Sequence, residues 1–199
     1  RAGAGVDNID LTAATEHGVY VANCPGMNSA AVAELAWALI LSADRRVPDQ
    51  TAELRAGKWN KKEYSKARGL RGRTLGIVGL GSIGRQVAEV GKAFGMHVVA
   101  WSRSLTDAQA RDMGVERAPT ALDVAKRADV VSVNVAATND TKHLVNRAFC
   151  DALKHGAIFV NTSRGSVVDE AALLDAVKTK GVRCGLDVFE NEPASATGE

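Results

Sequence analysis

The sequence is short of cysteine, short of net charge and without a long apolar run, and each shortage excludes something. Its three cysteines, Cys24, Cys150 and Cys184, are odd in number, far apart and in no C-x-x-C pair. They predict ordinary thiols of a reducing compartment, and neither a disulfide framework nor a zinc site, so no metal is expected. Lys and Arg number 25 against 23 Asp and Glu, a net charge of +2. That is too little to point to nucleic acid or an anionic membrane as partner. The longest apolar stretch, residues 30–43, contains Glu34 and is too short for a membrane span. The N-terminus has no apolar core of a signal peptide, and the chain shows no solenoid repeat and no low-complexity tract. These absences predict a cytoplasmic protein with neither membrane nor nucleic acid as partner.

What is present is the composition of an ordinary globular protein, 46% hydrophobic and 24% charged over 199 residues. That length holds one sizeable domain, or one domain and a piece of another. The chain opens on Arg1 inside sequence that reads as ordered, and stops shortly after Pro193. The expectation is a piece of a longer protein.

Glycine is where the sequence concentrates its information. At 74–85 the chain reads TLGIVGLGSIGR, an apolar β-compatible run leading into G-x-G-x-x-G and then an amphipathic stretch to Phe94. Strand, glycine turn and helix together are the context in which this motif predicts a dinucleotide site. Gly79 permits the tight turn, Gly81 lets backbone approach a pyrophosphate, and Gly84 lets the helix pack closely on its strand. The helix starting near Ser82 aims its free N–H groups and its positive dipole end at the anion.

Around this motif the chain reads as follows. Residues 12–17 predict a short helix stopped by Gly18, and residues 19–22 a short strand broken by Cys24-Pro25-Gly26. Asn28 or Ser29 is a candidate N-cap for a long helix to about Arg46, apolar nearly all round and therefore expected to be buried on several sides. Such a helix serves as core, as a contact with another domain or subunit, or as both. Residues 47–73 are polar and basic with Trp59 and Tyr64 interleaved, but Asp49, Glu53 and Glu63 dilute the charge. They read as a solvated connection anchored by Trp59, not as a nucleic-acid patch. Beyond Thr74, strands are predicted at 75–78, 97–101, 129–135, 157–162 and 182–188, with a weak one at 115–117. Helices are predicted at 82–94, 106–113, 121–127, 146–153 and 170–179. Continuous Val, Ile and Ala runs alternating with helices imply a doubly wound parallel sheet of Rossmann type, with helices on both faces and ligand outside the carboxyl ends of the strands.

The ribose-reading position lies at the end of the second strand, about 20 residues past the glycines, where Asp or Glu is expected for NAD. This chain has Ser102 and Arg103. A hydroxyl and a guanidinium suit a 2′-phosphate, so NADP is possible; alternatively Arg103 faces solvent or stacks on adenine and the cofactor is NAD.

Further along, Arg164 stands beside Gly165 at a strand end, and Asp187, at the end of the last strand, and Glu192 after it lie near the same edge. Strand-end charges are usually solvated or ion-paired, so alone they assign nothing. Together with GVDNID at 5–10, NSAAVAEL at 28–35, GKW at 57–59, LGIVGLGSIGRQVA, NTSRGSVVDE at 161–170 and LDVFENEP at 186–193, however, they form a series that resembles the D-isomer-specific 2-hydroxyacid dehydrogenases. The motifs keep the family's order over nearly the whole chain, and within the family they are most similar to the branch that oxidises 3-phosphoglycerate for serine synthesis. The resemblance implies hydride transfer between a nicotinamide cofactor and a small 2-hydroxy or 2-oxo acid. It implies that Arg164 grips the substrate carboxylate and carbonyl oxygen by paired charge-assisted hydrogen bonds, and that Glu192 orients a catalytic His and favours its imidazolium. Asp187 would meet the nicotinamide carboxamide, and backbone at Ser82 and Ile83 the pyrophosphate, with Val135, Ala136, Thr162 and Ser163 bordering the cofactor.

Two departures stand out. The family's His belongs to a Pro-His segment downstream of Glu192, and His17, His97, His143 and His155 match no such segment; all four read as surface or loop histidines. Relatives often show Thr-Pro after a polar residue where this chain has Asn134-Val135-Ala136. The resemblance divides the chain into the tail of a substrate domain (1–23), a dinucleotide-binding domain (24–193) and the start of a return crossing (194–199). It implies a piece that binds cofactor but turns over little without the missing His, and the long apolar helix at 30–43 predicts a homodimer through the cofactor domain. Within the same family, NADPH-dependent glyoxylate or hydroxypyruvate reductases and NAD-binding corepressors remain as alternatives.

Overall fold

Five segments of four or five residues pair side by side, and a two-residue strand completes the sheet, in a computed structural model that describes residues 1–6 and 9–192. Before the sheet come α1 (Leu11–Glu16), α2 (Ser29–Arg45), α3 (Val47–Arg55) and α4 (Lys61–Tyr64). Then follow β1 (Thr74–Val78), α5 (Ser82–Ala93), β2 (His97–Trp101), α6 (Asp107–Asp112), β3 (Glu116–Arg117) and α7 (Ala121–Arg127). The chain continues through β4 (Val130–Val133), α8 (Arg147–Ala152), β5 (Ile158–Asn161), α9 (Glu170–Lys180) and β6 (Arg183–Leu186).

The six strands are ordered β3-β2-β1-β4-β5-β6 and every pairing is parallel. The order reverses between β1 and β4, which makes the carboxyl end of β1 the topological switch point. Because side chains alternate along a strand, Leu75 and Ile77 face one layer with Trp37, Ile40, Val87 and Ala110 from α2, α5 and α6. Val78, Val131 and Phe159 face the other layer, with Val124, Phe149 and Leu173 from α7, α8 and α9. Fully burying each Val, Leu, Ile or Phe side chain stabilises the fold by about 1.5–3 kcal/mol. The doubly wound α/β sheet with helices on both faces is therefore the observed architecture.

Helix starts follow local chemistry. Thr120 and Asp169 accept from the third amide on, Asp123 N and Ala172 N, and Thr106 with Gln109 forms a full capping box. The expected strands at 129–135, 157–162 and 182–188 overran their carboxyl ends: the ladders stop at Val133, Asn161 and Leu186, and after the first two of these the chain leaves the sheet to line a cleft.

Four expectations need correction. Residues 19–22 join no ladder, because the sheet has no strand near enough to pair with them, and Val19 and Tyr20 lie in solvent. Residues 47–73 are not a bare connection: Pro48 in the first turn starts α3, and α4 follows. Trp59 does not anchor this stretch, being 79% exposed; Leu70 is the residue that enters the core, and Arg46 stacks over Tyr64 at 4.9 Å. Helix α2 is buried along one stripe only (Ser29, Ala33, Ala36, Trp37, Ile40, Asp44), leaving Leu35 and Leu41 partly in solvent. Of the sequence expectations, Asp7, Asn8, Pro193 and the return crossing at 194–199 lie outside the described residues.

The amino ends of the strands are closed by charge. Asp44, 1% exposed, accepts from Arg73 Nη1 at 3.0 Å and from the Gly69 amide at 3.2 Å. Arg73 Nη2 donates to the Asp129 carbonyl, and Arg183 Nη1 to the carbonyls of Ala43 and Asp44. Asp129 Oδ2 accepts from Thr74 N and its Oδ1 faces Lys154 Nζ at 3.3 Å. Burial, with Arg68 adding, lowers the Arg73 guanidinium from its ordinary pKa against the opposing pull of Asp44 and Asp129.

Candidate functional site

At the carboxyl ends of the strands the backbone turns sharply and leaves a cleft of about 840 Å³, within the range of small-molecule sites. Gly79 makes the turn possible: its φ is +98°, and a Cβ there would lie 2.8 Å from the Asn134 backbone. A Cβ on Gly84 would lie 2.1 Å from the Gly79 carbonyl oxygen, so glycine there lets α5 sit directly on the end of β1. A Cβ on Gly81 would meet nothing within 4 Å, so this backbone borders open space.

Gly81 is also the N-cap of α5 and supplies no side-chain cap. The first N–H groups of α5 are thus left to whatever occupies that space, with the helix dipole behind them. Helix α2 adds a second N-terminus. Its N-cap Asn28 lines the cleft and makes no capping bond, and buried Ser29 donates its hydroxyl to Ser82 Oγ at 3.0 Å.

The cleft has two walls. Ile83, Asn134, Val135, Ala136, Thr162, Ser163 and Arg164, with Asn28 and Val32, form the wall built on the sheet, and Arg1, Val6, Ile9 and Leu11 belong to the opposite one. Of the residues predicted for the site, the structure thus brings together Ile83, Val135, Ala136, Thr162, Ser163 and Arg164. Asn28 and Val32 were missed as cleft residues, although they stand at the start of the NSAAVAEL helix, where a helix N-terminus is a signal for anions. Ser102, Arg103, Asp187 and Glu192 do not line this cleft. Ser102 and Arg103 follow β2, and Arg103, 80% exposed at its side chain, pairs with Asp140 at 3.2 Å. Asp187 is exposed, and its amide extends the sheet by donating to the Asn161 carbonyl at 3.1 Å. Glu192 Oε1 accepts from the Phe189 amide at 2.9 Å.

Arg164 is placed by a small polar framework. Buried Asn161 accepts from the Ser163 amide (3.0 Å) and hydroxyl (2.7 Å) with Oδ1, and donates from Nδ2 to the Arg164 carbonyl at 3.0 Å. Arg164 Nη1 donates to the Ser163 carbonyl at 2.8 Å. Asn161 was legible only as part of a motif; its role as a bracket for the Arg164 turn appears only once the turn is seen. Beside it, the Thr162 hydroxyl is buried with no hydrogen-bond partner among the described residues, which costs the protein about 1–3 kcal/mol unless something fills the need. His143, expected as a surface or loop residue, is half-buried and its Nε2 lies 2.7 Å from Glu190 Oε1.

The family model for the D-isomer specific 2-hydroxyacid dehydrogenase NAD binding domain matches residues 37–199. A D-3-phosphoglycerate dehydrogenase of Methanocaldococcus jannaschii is 44% identical over 97% of this chain, which spans 37% of that protein. A hydroxypyruvate reductase of Thermotoga maritima is 43% identical over 97% of the chain, here spanning 62% of the relative. The holo form of Rhodotorula graminis D-mandelate dehydrogenase superposes with a TM-score of 0.89 at 37% identity, covering 99% of this chain and 60% of that one. The chain carrying this glycine turn, uncapped helix and strand-end arginine thus belongs to the D-isomer-specific 2-hydroxyacid dehydrogenase family, with residues 37–199 matching its NAD-binding domain.

Proposed function

We propose that this chain is the cofactor-holding part of an enzyme that exchanges a hydride between NAD and a D-2-hydroxy acid, 3-phosphoglycerate in the leading reading. The observation that carries the cofactor reading is the uncapped N-terminus of α5 over open space at Gly81, with the unpartnered Thr162 hydroxyl buried in the adjoining cleft wall. The residues present fit a dinucleotide: amides at Ser82 and Ile83 for the pyrophosphate, Val135, Ala136, Thr162 and Ser163 beside the cofactor, and Asp187 at the carboxamide. The bound nicotinamide supplies the hydride acceptor or donor. Arg164 would hold the substrate carboxylate and carbonyl oxygen by two parallel N–H bonds, fixing the reacting carbon. Glu192 would orient a histidine supplied by sequence beyond this chain, and that histidine would move the hydroxyl proton. Residues 1–23 would be the tail of the substrate domain and 24–193 the cofactor domain.

The cofactor is read as NAD, with NADP the alternative: Arg103 pairs at the surface with Asp140, and a 2′-phosphate would compete with that carboxylate for it. A calorimetric titration of the chain with NADH and NADPH at one fixed salt concentration tests this. Tighter NADH binding supports the reading. Tighter NADPH binding, lost in Arg103→Ala, would move it to a glyoxylate or hydroxypyruvate reductase, a class to which one of the relatives belongs. Binding of neither would sink the cofactor reading for the chain alone.

We further read the chain as a cytoplasmic homodimer, without membrane or nucleic-acid partner. Leu35 and Leu41 on α2, and Leu54 and Trp59 beyond it, leave apolar surface uncovered. A monodisperse monomer by light scattering at high concentration would overturn the dimer.

A further inference from the structure

The segment that leaves β6 carries Asp187 and Glu192, the two carboxylates to which the proposed function gives roles, and it is tied down at several points. Its amide at Asp187 donates to Asn161, the bracket of the Arg164 turn. It then crosses Gly165 backbone to backbone. A Cβ on Gly165 would lie 2.0 Å from the carbonyl carbon and oxygen of Phe189 and 2.4 Å from the Glu190 nitrogen. Only glycine allows that approach, so the residue next to Arg164 is chosen by the segment that passes over it.

Two side chains complete the fastening. Glu170 Oε1 accepts from the Glu190 amide at 2.7 Å. The Glu190 carboxylate lies 2.7 Å from His143 Nε2, although 47 residues separate the two in sequence. His143 is held for this contact in a left-handed backbone conformation, φ +47°, uncommon for a residue with a side chain, and its amide donates to Ser166 at 3.0 Å. The loop after β4, the turn after β5 and the segment after β6 therefore meet at one side-chain pair. This pair is distinct from the histidine–glutamate pair expected for proton transfer, which uses Glu192; Glu192 here accepts from Phe189.

We propose that His143 and Glu190 are positioning residues, which fix where Asp187 and Glu192 stand relative to Arg164. The inference rests on the cofactor reading above. Its nearest consequence within this chain concerns Asp187: the pair should matter for the nicotinamide end of the cofactor and not for the ADP-ribose part, whose pyrophosphate the β1–α5 turn would hold.

The test is calorimetric titration of the chain with NADH and with ADP-ribose, which lacks the nicotinamide. In the wild type NADH should bind more tightly than ADP-ribose. In His143→Ala and in Glu190→Gln, NADH affinity should fall about tenfold, the loss of one well-placed polar contact, while ADP-ribose affinity stays within about twofold. His143→Gln, which keeps an N–H donor, should recover most of the difference. Equal loss of both ligands, no loss of either, or equal wild-type affinities would overturn the inference and leave cofactor binding standing. If His143→Ala does not fold, Glu190→Gln and His143→Gln decide between the same outcomes. A wild-type chain that binds neither ligand would instead sink the cofactor reading, and the inference with it.

Discussion

The two ends of the parallel sheet treat polar groups in opposite ways. At the amino ends of the strands, Asp44, Arg73, Asp129, Lys154 and Arg183 bond to one another and to backbone, and the charges close the edge. At the carboxyl ends, the α5 N-terminus lacks a side-chain cap, the Thr162 hydroxyl has no partner among the described residues, and a cleft stands open. The difference separates stability from function: paired charges hold the sheet together at one end, although Arg73 Nε there has no partner among the described residues, and at the other end the unpartnered Thr162 hydroxyl stands beside an open cleft. The same polar-to-apolar substitution should therefore have opposite signs at the two ends.

The largest effect should come from the closed end. Asp44→Ala leaves the Arg73 guanidinium buried without its carboxylate partner, which costs about 3–5 kcal/mol. For a chain of this size that is a fall in Tm of roughly 6–20 °C, read by thermal unfolding with cofactor absent. A change below about 1 kcal/mol would mean that the network adds no more than a surface ion pair.

The second effect is smaller and of the opposite sign. Thr162→Val removes a buried hydroxyl that has no partner among the described residues, and should raise the Tm of the ligand-free chain by an amount worth about 1–3 kcal/mol while weakening NADH binding. Destabilisation together with unchanged NADH affinity would erase the contrast between the ends.

A pH series sharpens it further. Burial acts to raise the Asp129 pKa, but the Thr74 amide, Lys154 and Arg73 outweigh it and hold the carboxyl below its ordinary value. A carboxylate with a depressed folded pKa stabilises above its unfolded pKa and loses that contribution as pH falls through the folded one. Urea unfolding from neutral to acid pH should show stability dropping below the ordinary carboxylate range, with a shallower drop in Asp129→Asn. Identical slopes would show that Asp129 contributes nothing to acid sensitivity.

The smallest effect concerns thiols. Burial pushes Cys150 up to about 12 and Cys184 up to about 11, so both stay protonated at neutral pH, Cys150 buried and Cys184 partly so, whereas Cys24 is exposed. A neutral alkylating pulse should label Cys24 alone, and all three only after unfolding.

Much of the sheet was legible because its strands are buried on both faces and so read as unbroken apolar runs bounded by glycine turns. Strand ends were overrun at 134–135, 162 and 187–188, since Val135 and Val188 carry the β-favouring pattern past the last paired residue although Asn134, Thr162 and Asp187 break it. Residues 19–22 show the reverse error: Val and Tyr favour a strand, but no neighbour offers a ladder. In the site, the glycine turn and Arg164 could be read from local pattern, because backbone geometry dictates those residue types. Asn28 at the cleft, the Arg103–Asp140 pair and the His143–Glu190 pair could not, because each depends on contacts between distant segments. Trp59 was misread for a physical reason too: a large aromatic suggests burial, yet α3 and α4 on either side of it bury no residue and give it no core to enter.

One wall of the cleft has a further consequence. The wall carrying Ile83, Val135 and Arg164 is part of the core, whereas α1 on the other side buries no residue. The Arg1 amino group, Asn23 and Cys24 bond to Ala22, Ala4 and Gly3, within that same N-terminal stretch. Mechanically the site is a jaw with one side set in the frame and the other resting against it. Substitutions on the N-terminal side should therefore leave the core and the wall packed on it undisturbed.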